Sequence, residues 1–185
     1  MRKTVVLFLV AAVCLALPLF AQETKDAAKD AAAMMPPMPK PLDDDFLKWN
    51  VGEWEGTTTM STGASQDWQK VEMSLNDQFI LIQYTSSVNG QVIYKGMGPM
   101  TVDPKTGGVV SYWFDSMRGI YKGAGKREGN KVTMTWEGSD GTTRWDTTEK
   151  AGEDKMVVTF KSKMPDGSMQ EGRSEFTRKK MATTK

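Results

Sequence analysis

The sequence predicts an all-β chain, folded as a single antiparallel up-and-down β-barrel of about ten strands that is entered through a short N-terminal helical turn. Three observations carry that expectation. Short runs of alternating apolar and polar residues follow one another from residue 52 to residue 179. Turn-forming clusters separate them at intervals of roughly 11 to 14 residues, which suits strands of about eight to ten residues joined by tight turns. No stretch between them leaves room for a crossover helix, so consecutive strands must pair as a meander.

The elements follow in order. Asp43, Asp44 and Asp45 precede Phe46, Leu47 and Trp49. Acids at the start of a helical turn favour the positive end of its dipole, so one short turn is expected there. Asn89-Gly90 is the clearest hairpin signal, and Asp103-Pro104-Lys105-Thr106-Gly107, Glu128-Gly129-Asn130, Ser139-Asp140-Gly141, Ala151-Gly152-Glu153-Asp154 and Pro165-Asp166-Gly167 repeat it. The strands then fall near 52–60, 67–75, 78–87, 91–102, 108–115, 118–126, 131–137, 142–149, 155–163 and 168–179. Single apolar faces recur: Val132, Met134 and Trp136 on one strand, Met156, Val158 and Phe160 on another, and Val71, Met73 and Leu75 on a third. A meander of this length must hide its two edges, and closing on itself does so. The turns and parities also leave a two-sheet sandwich open.

The first strand contains Gly52-Glu53-Trp54, the Gly-x-Trp of lipocalin-like barrels, directly after the helical turn. It is answered by Phe176-Thr177-Arg178 near the end of the chain, where related barrels lay an arginine across the tryptophan. Gly52, Trp54 and Arg178 are therefore the expected closure of one barrel end, through a cation–π contact worth about 0.5–2 kcal/mol. More specifically, the chain resembles the bacterial domain-of-unknown-function 1579 family over roughly residues 46–179. The matching stretches are Val51-Gly52-Glu53-Trp54-Glu55-Gly56, the Asp103-Pro104 turn, Tyr112-Trp113-Phe114-Asp115-Ser116-Met117 and Phe176-Thr177-Arg178-Lys179. The resemblance implies a calycin-like barrel and an exported or periplasmic setting, and it implies no activity. A related haem-binding branch, the nitrobindin-like barrels, uses a histidine that this chain lacks, so haem is not implied.

The N-terminus carries Arg2 and Lys3 and then an uncharged apolar run from Val5 to Phe20. That is the pattern of a secretory signal, with cleavage expected after Ala21 and a periplasmic or secreted location. The run falls short of the roughly 20 residues a spanning helix needs, although retention as an anchor is the alternative. Residues 22–41 read as a flexible tether rich in Ala, Pro and Met, helical at most over 25–33, residues 42–180 as the barrel, and 181–185 as a disordered tail. Met34, Met35 and Met38 in the tether are candidate thioether ligands for Cu(I), set against an ordinary linker role. No metal site and no cofactor is expected in the barrel.

Composition narrows the chemistry further. The chain has no histidine, and its one cysteine, Cys14, lies within the apolar run. The processed protein thus lacks the groups for Ser-His-Asp or thiolate catalysis, disulfides and the usual zinc sites. Loss of Arg2 and Lys3 from 24 basic residues leaves 22 against 23 acidic ones, with both signs interspersed. This balance carries no footprint for nucleic acid, and no stable membrane insertion is expected once the signal is removed.

A barrel of about ten strands is wider than its own side chains fill, which makes a small hydrophobic or amphipathic ligand in the lumen the leading functional expectation. In the strand 109–116, Ser111, Trp113 and Asp115 share one face, and Val110, Tyr112 and Phe114 the other. Trp113 and Asp115 are placed inward, as an aromatic plane beside a carboxylate that would orient such a ligand. The plainer alternative makes Trp113 core and Asp115 the start of a turn. Arg144, alternating with Thr142 and Asp146, and Arg173, alternating with Glu171 and Glu175, are the candidate interior cations for a ligand carboxylate. Their alternative is a solvated outer face. Tyr84 and Trp136 complete the set as walls with a polar tip. Two rival classes stay open: an isomerase or hydrolase built on Asp115, Glu137, Asp146 and Glu171, and a partner-binding envelope protein.

Overall fold

The computed structural model describes residues 39–180. The expected signal peptide, most of the expected tether with its methionines, and residues 181–185 lie outside the described residues.

The chain enters through helix α1 (Asp45–Asn50). Asp44 caps it, accepting a hydrogen bond from the Leu47 N–H at 2.9 Å, and Asp45 adds negative charge in the first turn. The helix ends when the Val51 N–H closes back on the Lys48 carbonyl at 3.2 Å. Six residues form no independent helix. This one is held because Phe46 and Leu47 are buried in the barrel end.

Ten strands follow: β1 (Gly52–Met60), β2 (Gly63–Ser74), β3 (Phe79–Val88), β4 (Gln91–Val102), β5 (Val109–Asp115), β6 (Ile120–Glu128), β7 (Lys131–Gly138), β8 (Thr143–Gly152), β9 (Lys155–Lys163) and β10 (Met169–Arg178). Each pairs antiparallel with its neighbours in sequence, and β1 pairs with β10 from Trp54 opposite Arg178 to Met60 opposite Gly172. The sheet is closed, which overturns the sandwich and leaves no strand edge unpaired. Small irregularities in register occur between Ser86 and Ser87 and between Lys150 and Gly152.

Several boundaries differ from expectation, among them the end of β8 at Gly152 and the starts of β2 and β6. Strand β2 begins at Gly63, because a turn at 61–62 suffices. Strand β6 begins at Ile120, because residues 116–119 form a turn tied by the Asp115 carboxylate and by Arg118 in a left-handed conformation (φ 66°).

The two barrel ends differ in the residues they enclose. The end that receives α1 is apolar: Leu42, Phe46, Leu47, Trp54, Val71, Ile80, Val109, Val132, Met156 and Phe176 form a single buried cluster. Burial of one such side chain stabilises by about 1.5–3 kcal/mol. Arg178 closes this end. Its guanidinium lies 4.1 Å from the Trp54 ring centroid, donates from Nη1 to the Val51 carbonyl and from Nη2 to the Trp49 carbonyl, each at 2.6 Å, and meets Asp154 through Nε at 3.3 Å. Gly52 is required beneath it: φ is +137°, and a Cβ would stand 2.6 Å from Arg178 Nη1. Trp54 completes the arrangement by donating from Nε1 to the Asn50 carbonyl at 2.8 Å.

Candidate functional site: the polar mouth of the lumen

At the opposite end the inward positions change character. They are aromatic and polar, and several are only half-buried, including Tyr84, Tyr94, Trp113, Trp136 and Phe160. Parity explains which residues arrive there. Buried Val109 and Ser111 set the odd residues of β5 inward, which brings Trp113 and Asp115 to the mouth. Buried Val132 and Met134 do the same for Trp136 on β7, and buried Thr142 and nearly buried Asp146 flank Arg144 on β8.

Glycines on neighbouring strands let the large rings lie along the wall. A Cβ on Gly96 would stand 2.4 Å from the Trp113 ring, one on Gly123 2.6 Å from Trp136, and one on Gly172 2.5 Å from Phe160. Each ring occupies the space that a side chain would have taken on the next strand. The rings thus become lining.

Two hydrogen-bonded groups share this mouth. In the first, Trp113 Nε1 donates to the Tyr94 hydroxyl at 2.7 Å, and that hydroxyl faces Asp115 Oδ2 at 3.4 Å. Burial, with the Asp115 charge adding to it, pushes the Tyr94 pKa up to about 12 despite the Trp113 bond, so the phenol keeps its proton at neutral pH. Tyr121 is raised in the same direction, by burial first and Asp115 second. Asp115 Oδ1 meanwhile accepts the Met117 N–H at 2.8 Å and the Gly119 N–H at 2.7 Å. Its inward carboxylate therefore also holds the 116–119 turn, and the two alternatives for this residue coexist.

In the second group, Asp146 Oδ2 accepts from Trp136 Nε1 at 2.9 Å and from Arg144 Nε at 3.2 Å. Burial raises the Asp146 pKa, opposed by Arg144 and by the Trp136 bond. The Arg144 guanidinium lies 4.0 Å from the Phe160 ring centroid, and its side chain is 36% exposed. Its charge reaches across the lumen, where it draws down the pKa of Tyr94 and Tyr121 against burial. The Nη nitrogens meet no acceptor among the described residues. Arg144 is thus a fixed cation with two donor nitrogens unengaged among the described residues, set among half-buried aromatic rings.

Tyr84 adjoins this chamber through its ring, 6.0 Å from that of Tyr94 at 67°. Its hydroxyl belongs to another polar cluster: buried Asp67 accepts from Thr58, the Thr58 and Ser174 hydroxyls stand 2.5 Å apart, and burial together with the Asp67 charge raises the Tyr84 pKa. Arg173 requires a correction. It lies on the outer wall, 53% exposed, paired with Glu175 at 2.9 Å, because Gly172, Ser174 and Phe176 take the inward parity of β10. Glu137 and Glu171 also face outward, which removes two of the four carboxylates considered for catalysis from the lumen. Tyr94 and Phe160 were not among the expected site residues. Phe160 shares parity with Met156, and Tyr94 with Gly96, Gly98 and Met100, so the alternation did place both on inward faces.

A profile of the family described as "Protein of unknown function (DUF1579)" matches residues 43–178, the whole span from the helix cap to Arg178. The chain belongs to the DUF1579 family. No curated protein matches it. Among solved structures, this DUF1579 barrel is similar to an S-type phycobiliprotein lyase from Guillardia theta, at 12% identity and a TM-score of 0.58, over 75% of this chain and 93% of that one. It is also similar to a de novo designed fluorescence-activating β-barrel, at 20% identity and a TM-score of 0.44, over 74% of this chain and 100% of the design. The likeness to the lyase is one of fold.

Proposed function

We propose that this DUF1579 protein is a non-catalytic binding barrel whose lumen takes a small amphipathic molecule with an acidic head. The observation that carries the reading is Arg144, anchored through Nε on Asp146 and stacked on Phe160, with both Nη nitrogens free of protein acceptors. A guanidinium fork matches a carboxylate or phosphate bidentately, and it is pre-organised when its stem is already fixed. The gradient along the lumen supports the same orientation. An acidic head would meet Arg144 near the mouth, within reach of Tyr94, and a hydrocarbon part would run toward Ile82, Met100 and Met134.

Export belongs to the same reading, supported by the charged start and apolar run before Ala21. Native mass spectrometry of the protein purified from its own host tests both parts. The expected spectrum begins at Gln22 and carries a small organic acid that is lost in Arg144→Gln. A polypeptide adduct, or an acid retained equally by Arg144→Gln, would overturn the binding reading, and a chain still beginning at Met1 would overturn cleavage of the signal.

A further inference from the structure

The outer wall of the barrel is not uniform. Across β1, β2 and β7 to β10 it is laced with ion pairs: Lys70–Glu72, Lys131–Glu149, Lys161–Glu171, Arg173–Glu175 and Lys179–Glu55. The wall of β4, β5 and the start of β6 is richer in exposed apolar side chains, and the Lys126–Glu128 ion pair lies beyond them along β6. Met97, Phe114 and Ile120 lie directly opposite one another across the three strands, 46%, 45% and 50% exposed. Ile93 and Tyr112 extend this row at 50% and 49%, and Met117 projects from the adjoining turn at 71%. Scattered exposed apolar residues are ordinary, but a contiguous group of six marks a surface that meets something.

Lys95, Arg118 and Lys122 stand among these side chains, all exposed, and none forms an ion pair with any described residue. The nearest acid by register is Glu137, opposite Lys122 on β7. We propose that this wall docks the barrel, peripherally and reversibly, on an anionic lipid surface. Apolar and aromatic side chains interleaved with unpaired cations complement the boundary between acidic headgroups and acyl chains. A second copy is disfavoured, because an isologous contact would bring two sets of these cations face to face. An added peptide strand has no place to bind, since β4, β5 and β6 are each paired on both sides. The wall of a closed barrel is also convex, which a deformable lipid interface accommodates and a groove-seeking segment does not.

The patch borders the lumen mouth. Phe114 points outward between Trp113 and Asp115, which point inward, and Met117 belongs to the turn that Asp115 ties. The docked orientation would hold the mouth beside the membrane.

The test uses the chain from Gln22 onward, which keeps the complete core and closed sheet and contains no cysteine. A Met117→Cys variant carrying an environment-sensitive dye is mixed with phosphatidylglycerol–phosphatidylcholine vesicles and with pure phosphatidylcholine vesicles. Expected are a blue shift with the anionic vesicles only and loss of binding at high salt. A dye on Thr159→Cys, on the opposite wall, stays unchanged. Partition, measured by co-sedimentation of the unlabelled protein with the anionic vesicles, falls about fivefold for each of Lys95→Gln and Lys122→Gln, and by more than tenfold for the pair Phe114→Glu and Met117→Glu. All these positions are exposed, and near-UV circular dichroism verifies an intact barrel. Absence of partition, equal response of the two dyes, a Met117 dye already shielded without lipid, or a lipid-free dimer dissolved by the Phe114→Glu and Met117→Glu pair would each overturn the proposal.

Discussion

The two ends of this barrel each hold an arginine against an aromatic ring, and they use it differently. Arg178 at the α1 end stacks on Trp54 and is fully engaged, with two backbone carbonyls and Asp154 around it. Arg144 at the mouth stacks on Phe160 at a similar distance, 4.0 Å against 4.1 Å, yet only its Nε has a partner. One arginine finishes the fold and the other leaves donors over. The contrast teaches that a cation–π contact alone does not separate a structural arginine from a binding one. The unfilled hydrogen-bonding capacity is what sets Arg144 apart as the proposed binding cation.

The largest effects should appear at the closed end. Trp54→Ala removes a wholly buried ring and the platform for Arg178, and should cost about 3–5 kcal/mol, lowering the melting temperature by about 10 °C or more. Thermal melts followed by near-UV circular dichroism measure it. Arg178→Met comes next, at about 2 kcal/mol, since two carbonyls lose charged donors. Arg144→Met should cost less than Arg178→Met, because its half-exposed guanidinium has one protein partner, Asp146, which keeps its bond from Trp136. Equal costs for the two arginines would break the comparison.

A smaller difference depends on pH. Burial holds the Asp146 pKa above its ordinary 3.8, so the folded protein binds this proton more tightly than the unfolded chain does. The contribution of this carboxyl is most favourable below pH 3.8 and declines as pH rises through the folded pKa. Asp146→Asn should therefore gain stability relative to the native protein as pH increases above 3.8, read from urea midpoints at a series of pH values. A constant difference across that series would show that Arg144 and Trp136 fully offset the desolvation. Smallest of all, Leu75→Asn should stabilise by about 0.5 kcal/mol, because Leu75 is 67% exposed and sits at φ 51° in the turn from β2 to β3. A loss of stability in the same melts would mean that Leu75 packs in a way its exposure does not reveal.

Much of this fold was legible in the sequence, because tight turns and period-two alternation are local signals. Asn89-Gly90 and Pro165-Asp166-Gly167 mark turns wherever the chain goes, and Val132, Met134 and Trp136 declare one face without reference to their neighbours. The Gly52 and Trp54 spacing carried more than the alternation could, since it reported a contact with Arg178 across the whole domain. The site was less legible for a physical reason. An inward charge is recognised by its partners on other strands, and those are set by register. Arg173 illustrates the failure: Glu171, Arg173 and Glu175 look like a mixed interior face, but Phe176 on the other parity decides the matter through burial. Asp115 was ambiguous because one carboxylate has two oxygens, and here one ties a turn while the other faces Tyr94. Tyr94 stands in a strand whose inward face is otherwise mostly glycine, a pattern that reads as weak alternation until the Trp113 ring is seen over Gly96.

Arg144 is the proposed binding cation, whereas Arg178 closes the barrel end. Fluorescence titration of a dansylated undecanoic acid into the chain from Gln22 onward tests that role of Arg144 most directly, with the native protein compared against Arg144→Gln. Saturable one-to-one binding is expected, weakening about tenfold or more in Arg144→Gln while the melting temperature holds. Binding that is absent, or equally tight in Arg144→Gln, would contradict it.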